Sequence, residues 1–122
     1  MLDIKFVREN TEAVKAGAAA KGFPTAVVDE VVELDKKHRQ VIVAVEELRA
    51  KRNLVTKDQV DVGKQIKAEL KKLEPQLDEL ASQLGEKLWQ IPNPPLPQVP
   101  QGKSDADNPE VRRWGEPTKF DF

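Results

Sequence analysis

Two long stretches of this chain set their apolar residues at alternating intervals of three and four, and that repeat leaves few folds open. The first runs from Ala26 to about Val60 without a proline or glycine. Its repeat positions are Val31, Leu34, His38, Val41, Val45, Leu48, Arg52 and Val55. The second runs from Lys64 to Ile91 and repeats Ile66, Leu70, Leu73, Leu77, Leu80, Leu84, Leu88 and Ile91. Such spacing places a narrow apolar stripe along an α-helix, the heptad pattern of a coiled coil. Joined by the punctuation "DVG" at 61–63, two such helices can bury their stripes against each other as an antiparallel hairpin. Facing positions in a hairpin have numbers with a constant total. Pairing outward from the tip, Val55 meets Ile66, Arg52 meets Leu70, Leu48 meets Leu73 and Val45 meets Leu77. Val41–Leu80, His38–Leu84, Leu34–Leu88 and Val31–Ile91 continue the series, and the totals agree to within one. The expected fold is all-α: a long antiparallel two-helix coiled-coil hairpin, supercoiled left-handedly and turning near residues 60–61. At 1.5 Å rise per residue the arm is roughly 45–50 Å long. Pro75 interrupts the second pattern off the stripe and lacks an N–H, so a kink with the seam retained is expected there. The 80–84–88 spacing inserts one residue and shifts the supercoil locally.

The flanking segments read differently. "MLDIKFVREN" alternates Leu2, Ile4 and Phe6 with polar residues, as a short extended segment would. Asn10 is a candidate cap for a short helix over about 10–21, with Glu12 in its first turn and Gly22 as its stop. Pro24 breaks the chain and Thr25 is a candidate cap for the first arm helix. After Ile91 the composition changes. "PNPPLPQVPQG" cannot continue a helix and favours a stiff, extended connector over 92–107. "EVRRWGEPTKFDF", within 108–122, has β-type residues around a Trp-Gly turn and reads as a strand entering a further domain. The chain thus divides into an arm over 1–91, a connector, and the start of a domain that the sequence does not contain. It reads as a piece of a longer protein.

Composition narrows the function. Charged residues make up 34% and aromatics 5%, too few large apolar side chains for a globular core and suited to a narrow buried seam. The absence of cysteine excludes disulfides, thiolate metal sites and cysteine nucleophiles, and fits a reducing, cytoplasmic setting. One histidine, His38, cannot build a histidine metal site or a triad, and on a seam it reads as a packed side chain. No glycine-rich phosphate loop, GxSxG or zinc spacing is present. The acidic residues lie on solvated helix faces, so no catalytic residue and no metal ligand is assigned.

What remains is charge placement. The net charge is −1, yet residues 49–74 hold eight basic and four acidic side chains. A basic tip on an acidic base is a footprint for a polyanion. Without aromatics in the basic region, stacking on single-stranded bases is disfavoured, and backbone and shape recognition of double-helical RNA fits better. Charge alone does not exclude DNA or an ordinary solvated face.

These segments together resemble the N-terminal part of seryl-tRNA synthetases. "MLDIKFVREN" resembles their Met-Leu-Asp start with an Arg-x-Asn at matching spacing. "ELRAKRNLVTK" resembles the basic stretch on the first helix of their tRNA-binding arm, and "IPNPPLPQVPQG" the connector after the second. "DNPEVRRWGEPTKFDF" resembles the entry to their catalytic domain, with Asn108, Glu110, Val111, Arg112, Trp114, Gly115, Pro117 and Phe120 in register. The resemblance implies an arm that reaches across a homodimer to the long variable arm and elbow of serine tRNA. It implies the same service for selenocysteine tRNA. It also implies a class II catalytic domain using ATP and magnesium to make seryl-adenylate, none of whose motifs lies in this chain.

Arg49, Arg52, Asn53 and Lys57 fall in the first-helix motif, and Lys64, Lys67 and Lys71 on the second helix. With Lys51 from the basic cluster, these are the candidate RNA contacts, Arg49 and Lys57 foremost. Arg52 is expected to lay its stem on the seam and its guanidinium in water. The segment between "KRN" and the second helix is shorter than in bacterial members, which implies a trimmed tip. Two other readings are a structural or chaperone-like hairpin, which calls for an apolar tip, and a free-standing paralogue that binds RNA without catalysis.

Overall fold

The computed structural model describes residues 2–102 and 104–121; Met1, Lys103 and Phe122 lie outside the described residues. Four α-helices follow in order: α1 (Ile4–Glu9), α2 (Thr11–Ala20), α3 (Ala26–Leu54) and α4 (Val60–Leu88). α3 and α4 pack along each other as the long antiparallel hairpin, with α1 and α2 folded against its base. Among the described residues there is no strand, and no helix is long and apolar enough to cross a membrane.

The N-terminal segment is helical, not extended. The Asp3 carboxylate accepts from the Lys5 amide at 2.6 Å and starts α1 as an N-cap. The alternation at Leu2, Ile4 and Phe6 misleads because the buried residue is Val7, one turn after Ile4, while Phe6 stays exposed. Asn10 stands between α1 and α2 but does not cap α2. Its side-chain amide donates to the Phe6 carbonyl and closes the end of α1. α2 ends as expected at Gly22, whose φ of 73° lets the chain reverse. The Gly22 amide reaches Ala19 O and the Phe23 amide reaches Ala18 O, a Schellman closure. Thr25 precedes α3 in helical conformation and makes no side-chain cap.

The tip lies earlier than the repeat suggests. α3 stops at Leu54 because Val55 turns extended, at φ −69° and ψ 124°. Thr56–Gln59 form a turn in which the Gln59 amide donates to Thr56 O and the Gln59 side chain accepts from the Thr56 amide. α4 then begins at Val60, so "DVG" is its first turn and not a break. Gly63 is inside the helix with Val55 packed beside it. α4 runs through Pro75 as one helix.

The hydrophobic interior has two parts. At the base, Val7, Val14, Val28, Val31, Leu84, Leu88 and Ile91 pack around the junction of all four helices. Along the arm, Val45, Ile66 and Leu70 are buried with Val41, Leu48, Val55 and Leu73 against them. The arm set is drawn from the repeat positions, and the base set adds Val7, Val14 and Val28 from outside the repeat. Two charged residues depart from the pattern: Arg52, on the repeat, is exposed, and Asp35, off the repeat, is only 3% accessible. Asp35 Oδ2 accepts from Arg8 at 3.1 Å and from Arg39 at 3.0 Å, tying α1 to α3. Lys15 ties α2 to α3 through Asp29 at 2.7 Å. That hydrogen bond, with help from Glu12, raises the Lys15 pKa above its usual 10.5. The lysine's side of the tie is therefore complete through neutral pH and is lost as pH rises through the raised value.

After Ile91 the prolines fold back onto α2. A Cβ on Gly17 would lie 2.9 Å from Pro94 Cα, so only glycine admits this approach, and Lys21 donates to Asn93 O at 2.7 Å. The connector ends in a short 3-10 turn, Asp105–Asp107, where an extended segment is expected. Residues 108–121 form no strand and are exposed. Gly115 turns at φ 71°, and the Arg112 guanidinium stacks 5.3 Å from the Trp114 ring centre.

Candidate nucleic-acid interface

Helical geometry sorts the charges of the distal arm onto two flanks of the seam. At 100° per residue, positions three or four apart share a face. Lys64, Lys67, Lys71 and Glu74 follow at intervals of three, four and three along α4. Arg49 on α3 donates to Glu74 at 2.8 Å, which sets its face of α3 beside that row. Arg52 and Asn53 stand three and four residues on from Arg49 and share its side. This flank therefore collects Arg49, Arg52, Asn53, Lys64, Lys67 and Lys71, with Asp61 and Glu74 as its acids.

The opposite flank is different in kind. There a shallow groove of about 440 Å³ is lined by Leu48, Lys51, Leu54, Val62, Gln65 and Glu69 among others. Lys72 follows Glu69 by three residues on the same side, and Glu47 precedes Lys51 by four. Cations and acids are balanced there, and Leu54 is 80% exposed. Lys57 belongs to neither flank; it stands in the tip loop, exposed.

The structure thus divides the eight candidate residues. Six share one flank, Lys51 faces away from them, and Lys57 sits at the end. Their states of pairing also differ. Arg49 is held by Glu74, and Lys64 lies 3.3 Å from the exposed Asp61. Lys51, Arg52, Lys57, Lys67 and Lys71 have no carboxylate within 4.0 Å among the described residues. Arg49, expected foremost as a phosphate contact, is thus engaged by Glu74, a residue 25 positions away that carries no local signal.

The proximal arm contrasts with the tip. Several of its cations are used internally: Arg8 and Arg39 on Asp35, Lys15 on Asp29 and Glu12, Lys87 on Glu30. No group of three or more His, Cys, Asp or Glu that could hold a metal ion is found among the described residues. What the arrangement offers chemically is a rigid rod with fixed positive charge near its free end.

Fold and charge together define a helical-arm domain with one cationic distal flank. The family profile described as seryl-tRNA synthetase N-terminal domain matches residues 1–60. The serine–tRNA ligase of Clostridium tetani is 38% identical over 137 aligned positions, covering 100% of this chain and 32% of that protein. That of Thermoanaerobacter pseudethanolicus is 42% identical over 136, with the same coverage. The crystal structure of seryl-tRNA synthetase from Pyrococcus horikoshii complexed with ATP superposes with a TM-score of 0.81 at 32% identity. That superposition covers 94% of this chain and 29% of the other. The chain belongs to the seryl-tRNA synthetase family, as its N-terminal domain. It spans about a third of the length of the curated relatives it matches. The 137 aligned positions exceed the chain's 122 residues, so the relative carries residues within this span that this chain lacks.

Proposed function

We propose that this chain is the tRNA-binding arm of a serine–tRNA ligase. It would hold the long variable arm and elbow of serine tRNA, and of selenocysteine tRNA, while a catalytic domain outside this chain attaches serine. The observation that carries the reading is the concentration of exposed cations on the distal hairpin, in a domain of this family. A two-helix rod presents them as a fixed row, and no loop has to be ordered when RNA arrives. Phosphate contacts of this kind supply affinity and register and little base specificity, which suits recognition of a shape. The ATP and magnesium of the family's chemistry would be held by the catalytic domain, and no residue of this chain is assigned to them. The complete protein would act as a cytoplasmic homodimer, with the arm of one subunit serving tRNA bound to the other.

A second reading has one observation in its favour. Leu54, Val60 and Val62 are exposed at the tip, as a client-gripping hairpin would require. One experiment separates the two. The chain is titrated into labelled serine tRNA and into the same tRNA with its long variable arm deleted, with anisotropy as readout. The arm reading expects salt-sensitive binding that weakens at least severalfold on deletion. Equal binding to both RNAs refutes the assigned role. No RNA binding, together with suppression of aggregation of an unfolded protein, supports the hairpin reading.

A further inference from the structure

Resting on the tRNA-arm reading, we propose that the RNA backbone docks on the flank of Arg52, Lys67 and Lys71 and not on the opposite flank. We propose also that Glu74 limits the affinity of that flank by holding Arg49. The seam divides the distal arm into two surfaces that a rod-like partner cannot touch at once. On one, Lys67 and Lys71 stand four residues apart, about 6 Å along the axis, with no carboxylate within 4.0 Å among the described residues. Arg52 is exposed on the adjoining face of α3. On the other, the one lysine of the groove, Lys51, stands among Leu48, Leu54, Val62 and Glu69. A phosphate brought there would lose water against exposed leucine and valine and meet a like charge on Glu69.

Glu74 sits at the proximal end of the cationic row. Its ion pair with Arg49 is about half exposed on both sides, so it adds little to folding and can open. While closed, it withholds one cation from the row. A phosphate reaching Arg49 must displace Glu74 or share the guanidinium with it, and the free carboxylate would then repel the strand. Glu74 thus sets where the usable row ends and how tightly it holds.

The test uses the 122-residue chain and a serine tRNA transcript at 150 mM salt, where exposed charges are screened beyond about 8 Å. Lys67→Glu with Lys71→Glu is compared with Lys51→Glu with Lys72→Glu, an equal charge change on the other flank. All four lysines are exposed, and helix content by circular dichroism checks that folding is kept. The first double variant is expected to lose tenfold or more in affinity and the second less than threefold. Glu74→Gln is expected to tighten binding about two- to fivefold and to steepen the salt slope by about 0.9, one more phosphate contact. Glu69→Gln removes the same charge from the other flank and is expected to do neither. Equal losses from the two lysine pairs, or equal effects of Glu74→Gln and Glu69→Gln, overturn the docking face and leave the arm function standing. If the unaltered chain binds no RNA, the function falls and this inference with it.

Discussion

The carboxylate of Asp35 offers the sharpest stability test, because its removal and the removal of its partners should not cost the same. Its side chain is 5% accessible, whereas those of Arg8 and Arg39 are 33% and 52% accessible. In Asp35→Ala both guanidiniums return to water and no charge is stranded. What is lost is the part-buried bond from Arg8, about 1.5–3 kcal/mol for a charge-assisted pair, and the exposed i,i+4 bond from Arg39, about 0.3–0.5 kcal/mol. The expected cost is about 2–3 kcal/mol. In Arg8→Ala the buried carboxylate keeps only Arg39. Breaking a buried pair from one side costs about 3–5 kcal/mol, reduced here by the surviving partner, so about 2–4 kcal/mol is expected. Arg39→Ala should cost under about 1 kcal/mol. The Arg8→Ala/Asp35→Ala double variant should be little worse than Asp35→Ala alone, a coupling of about 1.5–3 kcal/mol. Urea unfolding followed by circular dichroism gives the four values. Amide exchange at Val7 tests whether α1, six residues long, opens before the hairpin. Full additivity of the two single changes, or an Arg39→Ala cost equal to that of Arg8→Ala, would show that Asp35 does not clamp α1 onto α3.

Four further outcomes are expected. The affinity of the chain for serine tRNA should fall about 40- to 150-fold between 50 and 200 mM salt, on three to four phosphate contacts at a slope near −0.9 each; a slope shallower than −1 in a log–log plot contradicts a phosphate-based interface. Arg52→Leu should leave the urea midpoint unchanged or higher, since Arg52 stands at a seam position yet is exposed, while weakening RNA binding; a marked loss of helix stability would mean that Arg52 supports the seam. Gly17→Ala should push Pro94 off α2 and cost about 1–3 kcal/mol as an overpacked contact, seen as faster exchange in α2 with the α3–α4 amides unaffected; an unchanged α2 would refute the seat. Pro75→Ala should add stability, by up to about 3 kcal/mol, because Pro75 is exposed inside α4 and withholds one helix hydrogen bond; thermal melting checks the sign.

The part of this structure legible in the sequence is the part governed by a period. Val31, Val45, Ile66, Leu70, Leu84 and Leu88 are buried where the three-four repeat puts them, because a helix of fixed pitch can bury only one stripe. The tip was misplaced by a few residues for a related reason. A repeat says which face is buried and not where the chain turns, and the turn was decided by local bonds between Thr56 and Gln59. α1 was missed because six residues contain less than two turns, too few for a period to show, and its cap Asp3 gives the stronger signal. Asp35 was invisible for a different reason. On a helix surface an aspartate reads as solvated, and what buries it is Arg8, 27 residues earlier on another helix.

The same limit explains what happened to the candidate interface. Sign and location of the charge could be read by counting, since neither depends on where side chains point. Pairing could not, because Arg49 and Glu74 meet only through the hairpin. The antiparallel fold brings each flank of α3 beside one flank of α4, so charges far apart in the chain become neighbours. Near the base, opposite charges tie α3 to the helices around it, Asp35 to α1, Asp29 to α2 and Glu30 to α4. Near the tip, one flank holds Arg49, Arg52, Lys64, Lys67 and Lys71 against two acids, Asp61 and Glu74. Such a row opposes folding slightly by self-repulsion, and the hairpin does not need it, since the seam beneath it is apolar. On the proposed reading, a phosphate backbone, with its own charge and repeat, supplies the balance that the fold does not.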